Sequence, residues 1–369
     1  MVCMPRLLHT ADWQIGRTYQ RFASDDAAFL AEARLETVER IAALAAARRV
    51  DAVLVAGDIF DAQTVSDRTV RRLFNALAGF GGPWLMLPGN HDAALAAGVW
   101  TRVRQLGCMP GNVRLLEHPG LARFGELGFV VLPAPLTQRQ THSDLTAWFD
   151  DEPSPPGLIR IGLAHGSVAG ILPASIDSSN PIAADRAATA RLDYLALGDW
   201  HGTRQVDPRT WYSGTPEPDR FKCNDPGNVL QVGIAGPGAQ PDVEVIPVGT
   251  YRWHEWERHI SVPTDIEALE RSLSLLAAAD VMALRLAGTV DLGQQSSIRR
   301  LLGVAQGRLR ALEADLSRLR LHPTEADIAT LAADGYVGEV LAELRDAQDE
   351  ESAGEALNIL AGLLMERQA

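Results

Sequence analysis

The chain has 369 residues, 46% of them hydrophobic and 22% charged, which suffices for one large α/β domain and a smaller one, each with its own core. A formal net charge of −13 excludes an indiscriminate nucleic-acid binder that depends on broad phosphate neutralisation, and no run of about 18 apolar residues is present to span a membrane. Cys3, Cys108 and Cys223 are scattered without CxxC pairing, which argues against a disulfide framework or zinc knuckle; "MVCMPRLLHTADW" holds no long apolar signal region, so a cytoplasmic protein is expected.

Over the first 250 residues, short apolar runs alternate with helical spacing, the pattern of an α/β domain. Strands are expected at 6–9, 52–55, 84–87, 129–133, 159–164 and 194–197. A long helix is expected over 25–48, capped by Ser24 or Asp25, and another after Ser66, where Val70, Leu73, Phe74 and Leu77 share a helical face. "DDEPSPPG" (150–157) reads as a surface loop, and "AGPGAQPDVEVIPVG" (235–249) as a turn and a final strand.

After Gly249 the periodicity changes. "VMALRLAGTVDL" (281–292) reads as a strand between helices, so 251–322 is expected to be a small α/β cap. Leu302, Ala305, Leu309, Leu312, Leu316 and Leu319 then keep a three-four spacing, which predicts a helix packed on its own domain. The remainder, 323–369, reads as an acidic helical tail with Val337, Val340, Leu341 and Leu344 on one face. From Thr324 onward it carries eleven Asp/Glu against Arg345 and Arg367, nine of the thirteen net negative charges.

The chemistry lies where strands end. "RLLHT" leads to Asp12 and Gln14, "DAVLVA" to Asp58, "WLML" to Asn90 and His91, "IRIGLA" to His165, and "DYLAL" to Asp199 and His201. Loops beyond the carboxyl ends of sheet strands converge on one place, so these side chains are expected to share a site. A single Gly-Asp after a strand is ordinary turn chemistry; five such segments in series are not. Oxygen and imidazole donors without thiolates suit manganese, magnesium, iron or zinc. So many donors exceed one tetrahedral ion and suit two, bridged by a carboxylate such as Asp58. Two ions about 3.5–4 Å apart can hold a hydroxide between them for in-line attack on a phosphate ester.

The ordered set Asp12, "GDIFD", "GNHD", His165 and "GDWH" resembles the calcineurin-like metallophosphoesterases, whose pattern is D-x-H, G-D, G-N-H-[DE], H and G-H-x-H. With "LLHTADWQIG" and "YSGTPEPDRF" (212–221), the chain is most similar to DNA repair nucleases of the SbcD type over residues 5–250. The resemblance implies a two-sheet α/β/β/α sandwich over 1–250, two manganese-preferring sites, cleavage of DNA phosphodiesters and an SMC-like coiled-coil ATPase partner, with a homodimer left open. It implies that Asp12 and His201 bind the first ion, Asp58 bridges, and Asn90 and His165 bind the second. His91 would stabilise the scissile phosphate or protonate the leaving oxygen, and Asp92 would orient His91 or its loop. The acidic tail would dock the ATPase or pack on its own cap.

Gln14 and Asp199 depart from this pattern, each standing where the family has a histidine. A neutral amide oxygen is a weaker ligand than imidazole, so a weakened first ion site is expected, whereas Asp199 adds an anion that suits a hard ion. His9 is close enough in sequence to Asp12 to support it from behind. Trp13 and Trp200 read as packing under the site rather than base stacking, and Arg17, Arg21 and Arg204 as candidates to reach phosphates. The competing functions are a small-molecule or phosphoprotein phosphoesterase and a catalytically weak subunit that binds DNA or a partner.

Overall fold

A computed structural model describes residues 4–170, 179–221, 224–322, 324, 327, 336–347 and 351–368. Cys3, Cys223 and the start of the acidic tail at 325–326 and 328–335 lie outside the described residues. The chain divides into two compact units, Met1–Thr250 and Tyr251–Ala369.

The first unit runs β1 (Arg6–Thr10), α1 (Ser24–Arg48), β2 (Ala52–Ala56), α2 (Asp67–Ala76), β3 (Trp84–Leu87), α3 (Val99–Leu106), β4 (Val113–Leu115), β5 (Ala122–Phe124) and β6 (Phe129–Ala134). It continues with β7 (Ile159–His165), β8 (Ser167–Val168), β9 (Pro181–Ile182), α4 (Arg186–Thr189), β10 (Tyr194–Gly198), β11 (Arg204–Asp207), β12 (Thr210–Tyr212), β13 (Asn228–Gly233) and β14 (Asp242–Pro247). Two six-stranded sheets result, ordered β14-β13-β1-β2-β3-β4 and β11-β12-β10-β7-β6-β5. Their centres are parallel, β1-β2-β3 in one and β6-β7-β10 in the other, so β1, β2, β3, β7 and β10 all end on the side where the candidate ligands lie.

Alternation along these strands builds the layers. Leu7, Leu54 and Leu85 of the first sheet meet Phe129, Ile161 and Tyr194 of the second in one buried cluster between the sheets. Leu8, Val53, Val55 and Trp84 point the other way, against Val38 and Ile41 of α1 and Leu73 and Phe74 of α2. Leu132, Leu195 and Leu197 line the outer face of the second sheet with Phe149 and Ala187. The architecture is the α/β/β/α sandwich expected.

Helix α1 begins one residue earlier than expected, and neither Ser24 nor Asp25 caps it. Ala23 is the N-cap, without a side-chain bond, and Asp25 and Asp26 instead face the positive end of the helix dipole from inside the first turn. Helix α2 follows Ser66 as expected, and Ser66 proves to be its N-cap, accepting from the Thr69 N–H.

The second unit holds β15 (Arg252–Ile260), α5 (Pro263–Ser274), β16 (Asp280–Val290), α6 (Leu292–Arg308) and β17 (Ala311–Leu321), with all three strands parallel. Here the sequence expectation fails: the stripe from Leu302 to Leu319 is not one helix, because α6 stops at Arg308 and the rest is strand. Leu312, Ala314 and Leu316 follow a strand period of two. A bulge opposite Arg285–Ala287 then adds one residue, so the next inward position is Leu319. A four-residue step followed by a three-residue step imitates a helix. The tail helices Tyr336–Asp346 and Glu351–Gln368 bring Leu341 and Leu357 into the same core as Met282, Leu284 and Ile298. Leu344 packs against that core, while Val337 is exposed.

Candidate metal centre

Four of the candidate residues have left-handed backbone: Asp12 (φ 54°), Gln14 (φ 44°), Asp58 (φ 53°) and Asp199 (φ 102°). Such conformations are costly for residues with a Cβ and persist where surrounding structure enforces them. Here the loop after β1 is zipped to the loop after β2 by main-chain bonds from Asp12 N–H to Gly57 O (3.0 Å), Gln14 N–H to Asp58 O (2.9 Å) and Ile15 N–H to Ile59 O (2.9 Å). Two glycines allow the close approach: a Cβ on Gly57 would lie 2.3 Å from His165 Nδ1, and one on Gly89 2.2 Å from Asp58 Oδ1.

The result is a compact donor cluster. Ligand atoms of Asp12, Asp58 and His165, all buried, lie within 4.8 Å of one another. Asn90 Oδ1 is 2.8 Å from His165 Nε2, and Asp199 Oδ1 is 3.8 Å from that same nitrogen. The Nδ1–H of His165 donates to Ala56 O at 2.8 Å, which aims Nε2 into the cluster. Burial raises the Asp12 carboxyl to about 6, tempered by His201 and His165 and reinforced by the Asp58 and Asp199 charges. Burial opposes a charged His165, yet Asp58, Asp12 and Asp199 together raise it to about 9. The charged neighbours acting on Asp12 are two imidazoles and two further carboxylates, an arrangement that favours a bound cation. The donor set, oxygens plus one imidazole, fits a divalent ion.

His91 sits beside this cluster with a different exposure. Its N–H donates to Asp58 Oδ1 at 2.9 Å, and its ring Nδ1–H to Asp61 O at 2.7 Å. Nε2 is thereby turned toward Asp58, 3.9 Å from Oδ2, and the side chain is 29% exposed, open to an incoming substrate. Asp92 faces away. Its carboxylate accepts from the N–H groups of Ile59 (3.0 Å), Phe60 (3.1 Å) and Gly89 (2.7 Å), tying the β2 loop to the β3 loop. Of the two roles expected for Asp92, the geometry shows loop positioning and no bond to the His91 ring. Burial, with the Asp58 charge, pushes the Asp92 carboxyl up to about 7 against the pull of the main-chain donors.

The other side of the centre is built differently. Gln14 Oε1 accepts from Arg17 Nη1 at 2.6 Å, and Gln14 Nε2 lies 3.3 Å from His201 Nε2. Arg220 Nη2 stands 2.6 Å and 3.1 Å from the two ring nitrogens of His201. Behind them lies Asp219, buried, 3.2 Å from His201 Nδ1, 3.4 Å from Arg17, 3.9 Å from Arg34 and 3.0 Å from Arg220. Burial alone would raise the Asp219 carboxyl. The His201 bond and charge and the Arg34 and Arg220 guanidiniums bring it far below the usual range. Buried Arg34 also donates to Trp13 O at 2.6 Å, and Thr215 Oγ1 donates to Asp12 O at 2.8 Å, so both brace the Asp12 loop.

Sequence reasoning missed Asp219, Arg220 and Arg34 as parts of the site; in the sequence, "PEPDRF" stands out only as a word of a family pattern. His9 touches none of the ligands: buried, it bonds Tyr194 OH (2.9 Å) and Leu197 O (3.2 Å), pinning β1 to β10 across the sandwich. Trp13 is core, donating to Thr10 Oγ1. Trp200 is half-buried under the Arg204 guanidinium, and Arg21 lies over Phe22 and Phe221.

Among the described residues, no helix is long and apolar enough to cross a membrane. Residues 5–222 match the family Calcineurin-like phosphoesterase. The chain is 30% identical over 335 residues to the SbcD subunit of the nuclease SbcCD of Rhodobacter capsulatus, covering 76% of each chain. It is 27% identical over 266 residues to the DNA double-strand break repair protein Mre11 of Aeropyrum pernix, covering 66% of this chain and 61% of that one. A solved structure, TT1561 of Thermus thermophilus, aligns with TM-score 0.41 at 14% identity over 67% of this chain and 100% of that one. With candidate strand-end ligands from both sheets, a donor set that fits a divalent ion and a family match across residues 5–222, the chain belongs to the calcineurin-like phosphoesterases, in their SbcD-type branch.

Proposed function

We propose that this chain is a manganese-dependent nuclease that hydrolyses phosphodiester bonds in cytoplasmic DNA, in company with an SMC-like coiled-coil ATPase. The observation that carries the reading is the convergence of Asp12, Asp58, Asn90 and His165 from four strands in two sheets. The relatives' names, a nuclease subunit and a break-repair protein, direct it to DNA.

Asp12, Asp58, Asn90 and His165 would hold the ion, with Asp199 at the edge. Bound there, a divalent ion polarises a phosphoryl oxygen and acidifies water. The protein's own groups do the rest. His91, its ring fixed through Nδ1 to Asp61 O, presents Nε2 to the phosphate, where it donates to a phosphoryl oxygen or delivers a proton to the leaving one. Asp92 keeps the His91 and Asp58 loops in register without touching the reacting atoms. Arg17 and Arg220, both partly exposed at the site, supply local positive charge to a chain that is acidic overall.

Incubating the purified chain with Mn²⁺ and labelled single- and double-stranded DNA, alongside a chromogenic phosphodiester and a phosphomonoester, tests the reading. DNA degradation is expected, abolished by chelation and reduced about 10²–10⁴-fold by His91→Ala. Turnover of the small esters with DNA left intact would replace it with a small-molecule phosphoesterase. For the ATPase, the last helix presents Ile359 and Leu363, each more than half exposed, while its Leu357 is buried in the cap. Ile359→Asp with Leu363→Asp is expected to abolish co-purification with the ATPase; retention would remove this helix as the docking element.

A further inference from the structure

The family pattern implies two ions, yet the two halves of the ligand set are not equally available. Resting on the metal-dependent reading above, we infer that this chain holds one divalent ion, at Asp12, Asp58, Asn90 and His165. The guanidinium groups of Arg17 and Arg220 stand where the pattern implies the other.

Two of the groups a first-site ion would need, the Gln14 amide oxygen and the His201 ring, are already met by guanidiniums. Gln14 has one atom able to ligate, Oε1, and it accepts from Arg17 Nη1 at 2.6 Å. Its amide nitrogen, a donor only, faces His201 Nε2 at 3.3 Å. Both His201 nitrogens lie within hydrogen-bond distance of Arg220 Nη2. The tightest group of buried donor atoms, all within 4.8 Å of one another, is instead Asp12, Asp58 and His165.

These guanidiniums are anchored. Arg17 pairs with Asp61 at 3.3 Å and Asp219 at 3.4 Å, and Arg220 bonds both oxygens of Asp219 at 3.0 Å. Asp219 in turn lies 3.2 Å from His201 Nδ1 and 3.9 Å from Arg34. A divalent ion at Gln14 and His201 would have to displace two anchored, partly exposed positive charges, with only a neutral amide to replace a lost imidazole. Guanidinium is always charged and matches two phosphoryl oxygens at once, so the pair provides phosphate-directed charge that does not depend on metal supply.

The test is a metal count on the full chain. Equilibrium dialysis against Mn²⁺ alone, with elemental analysis, is expected to give one equivalent, with any second binding at least about 10-fold more weakly. Electron paramagnetic resonance of the loaded protein is expected to show an isolated six-line manganese signal. Two equivalents of similar affinity, with the multiline spectrum of a coupled pair, would overturn the inference and leave the metal-dependent reading intact. No bound manganese would overturn both. The triple variant Gln14→His, Arg17→Ala, Arg220→Ala is expected to gain the second equivalent. If it folds, by circular dichroism, and still binds one, the arginines are not what excludes the other ion.

Discussion

The two sides of the centre are held by different means. On the Asp58 side, main-chain groups fix the candidate ligands: Ala56 O orients His165, the His91 N–H meets Asp58, and Asp92 gathers three N–H donors from two loops. On the Gln14 side, side-chain charge does this: Asp219 is surrounded by His201, Arg17, Arg34 and Arg220. A side built on main chain can present bare donors to an ion. A side built on guanidiniums has already satisfied its acceptors. Position in the sandwich is therefore not enough to make a ligand; the neighbours must leave its lone pair free.

The largest effect that would sharpen this contrast is Asp58→Ala. Manganese retention by dialysis and DNA hydrolysis should both fall by more than about 10³-fold, since the central ligand is gone. Next is Asp219→Ala, which removes the carboxylate paired with buried Arg34 at 3.9 Å. Urea unfolding should report a loss of about 3 kcal/mol, with the single manganese equivalent retained; loss of that ion would break the distinction between the sides. Asp92→Ala should cost about 2 kcal/mol by the same measurement, because three N–H donors lose their acceptor, and it should also loosen manganese.

The smallest effect concerns His9, which serves neither side directly. Burial holds its imidazole neutral in the fold, lowering it from 6.5 to about 3, with the Leu197 carbonyl pulling weakly the other way. Between those values the unfolded chain takes up a proton that the folded chain refuses, so acidification through that window favours unfolding and stability rises with pH. Above 6.5 the contribution is constant. His9→Gln should flatten the dependence of the urea midpoint on pH between about 3 and 6.5. An unchanged slope would show that other groups set the acid limit.

The strand ends were legible because each is a local pattern: an apolar run, then a glycine or a tight turn, then a donor. Asn90 and His91 could be placed from "PGNHD" alone, and the sandwich followed from parallel strands of that kind. The cap was misread at Leu312–Leu319 because a bulge turned a period of two into a step of three. Asp92 could be narrowed only to two roles, since its donors Ile59 and Phe60 lie 33 and 32 residues away.

By itself the sequence determined which side chains end the strands, and that Gln14 and Asp199 replace the imidazoles of the family pattern. Only the tertiary structure decided what Gln14 faces, because its partner His201 is 187 residues distant and Arg220 reaches that ring from a third loop. Ligand identity is written locally, one residue at a time. Ligand availability depends also on which charges stand alongside: Arg17 is only three residues from Gln14, but Arg220 meets His201 from 19 residues away, which no local spacing encodes.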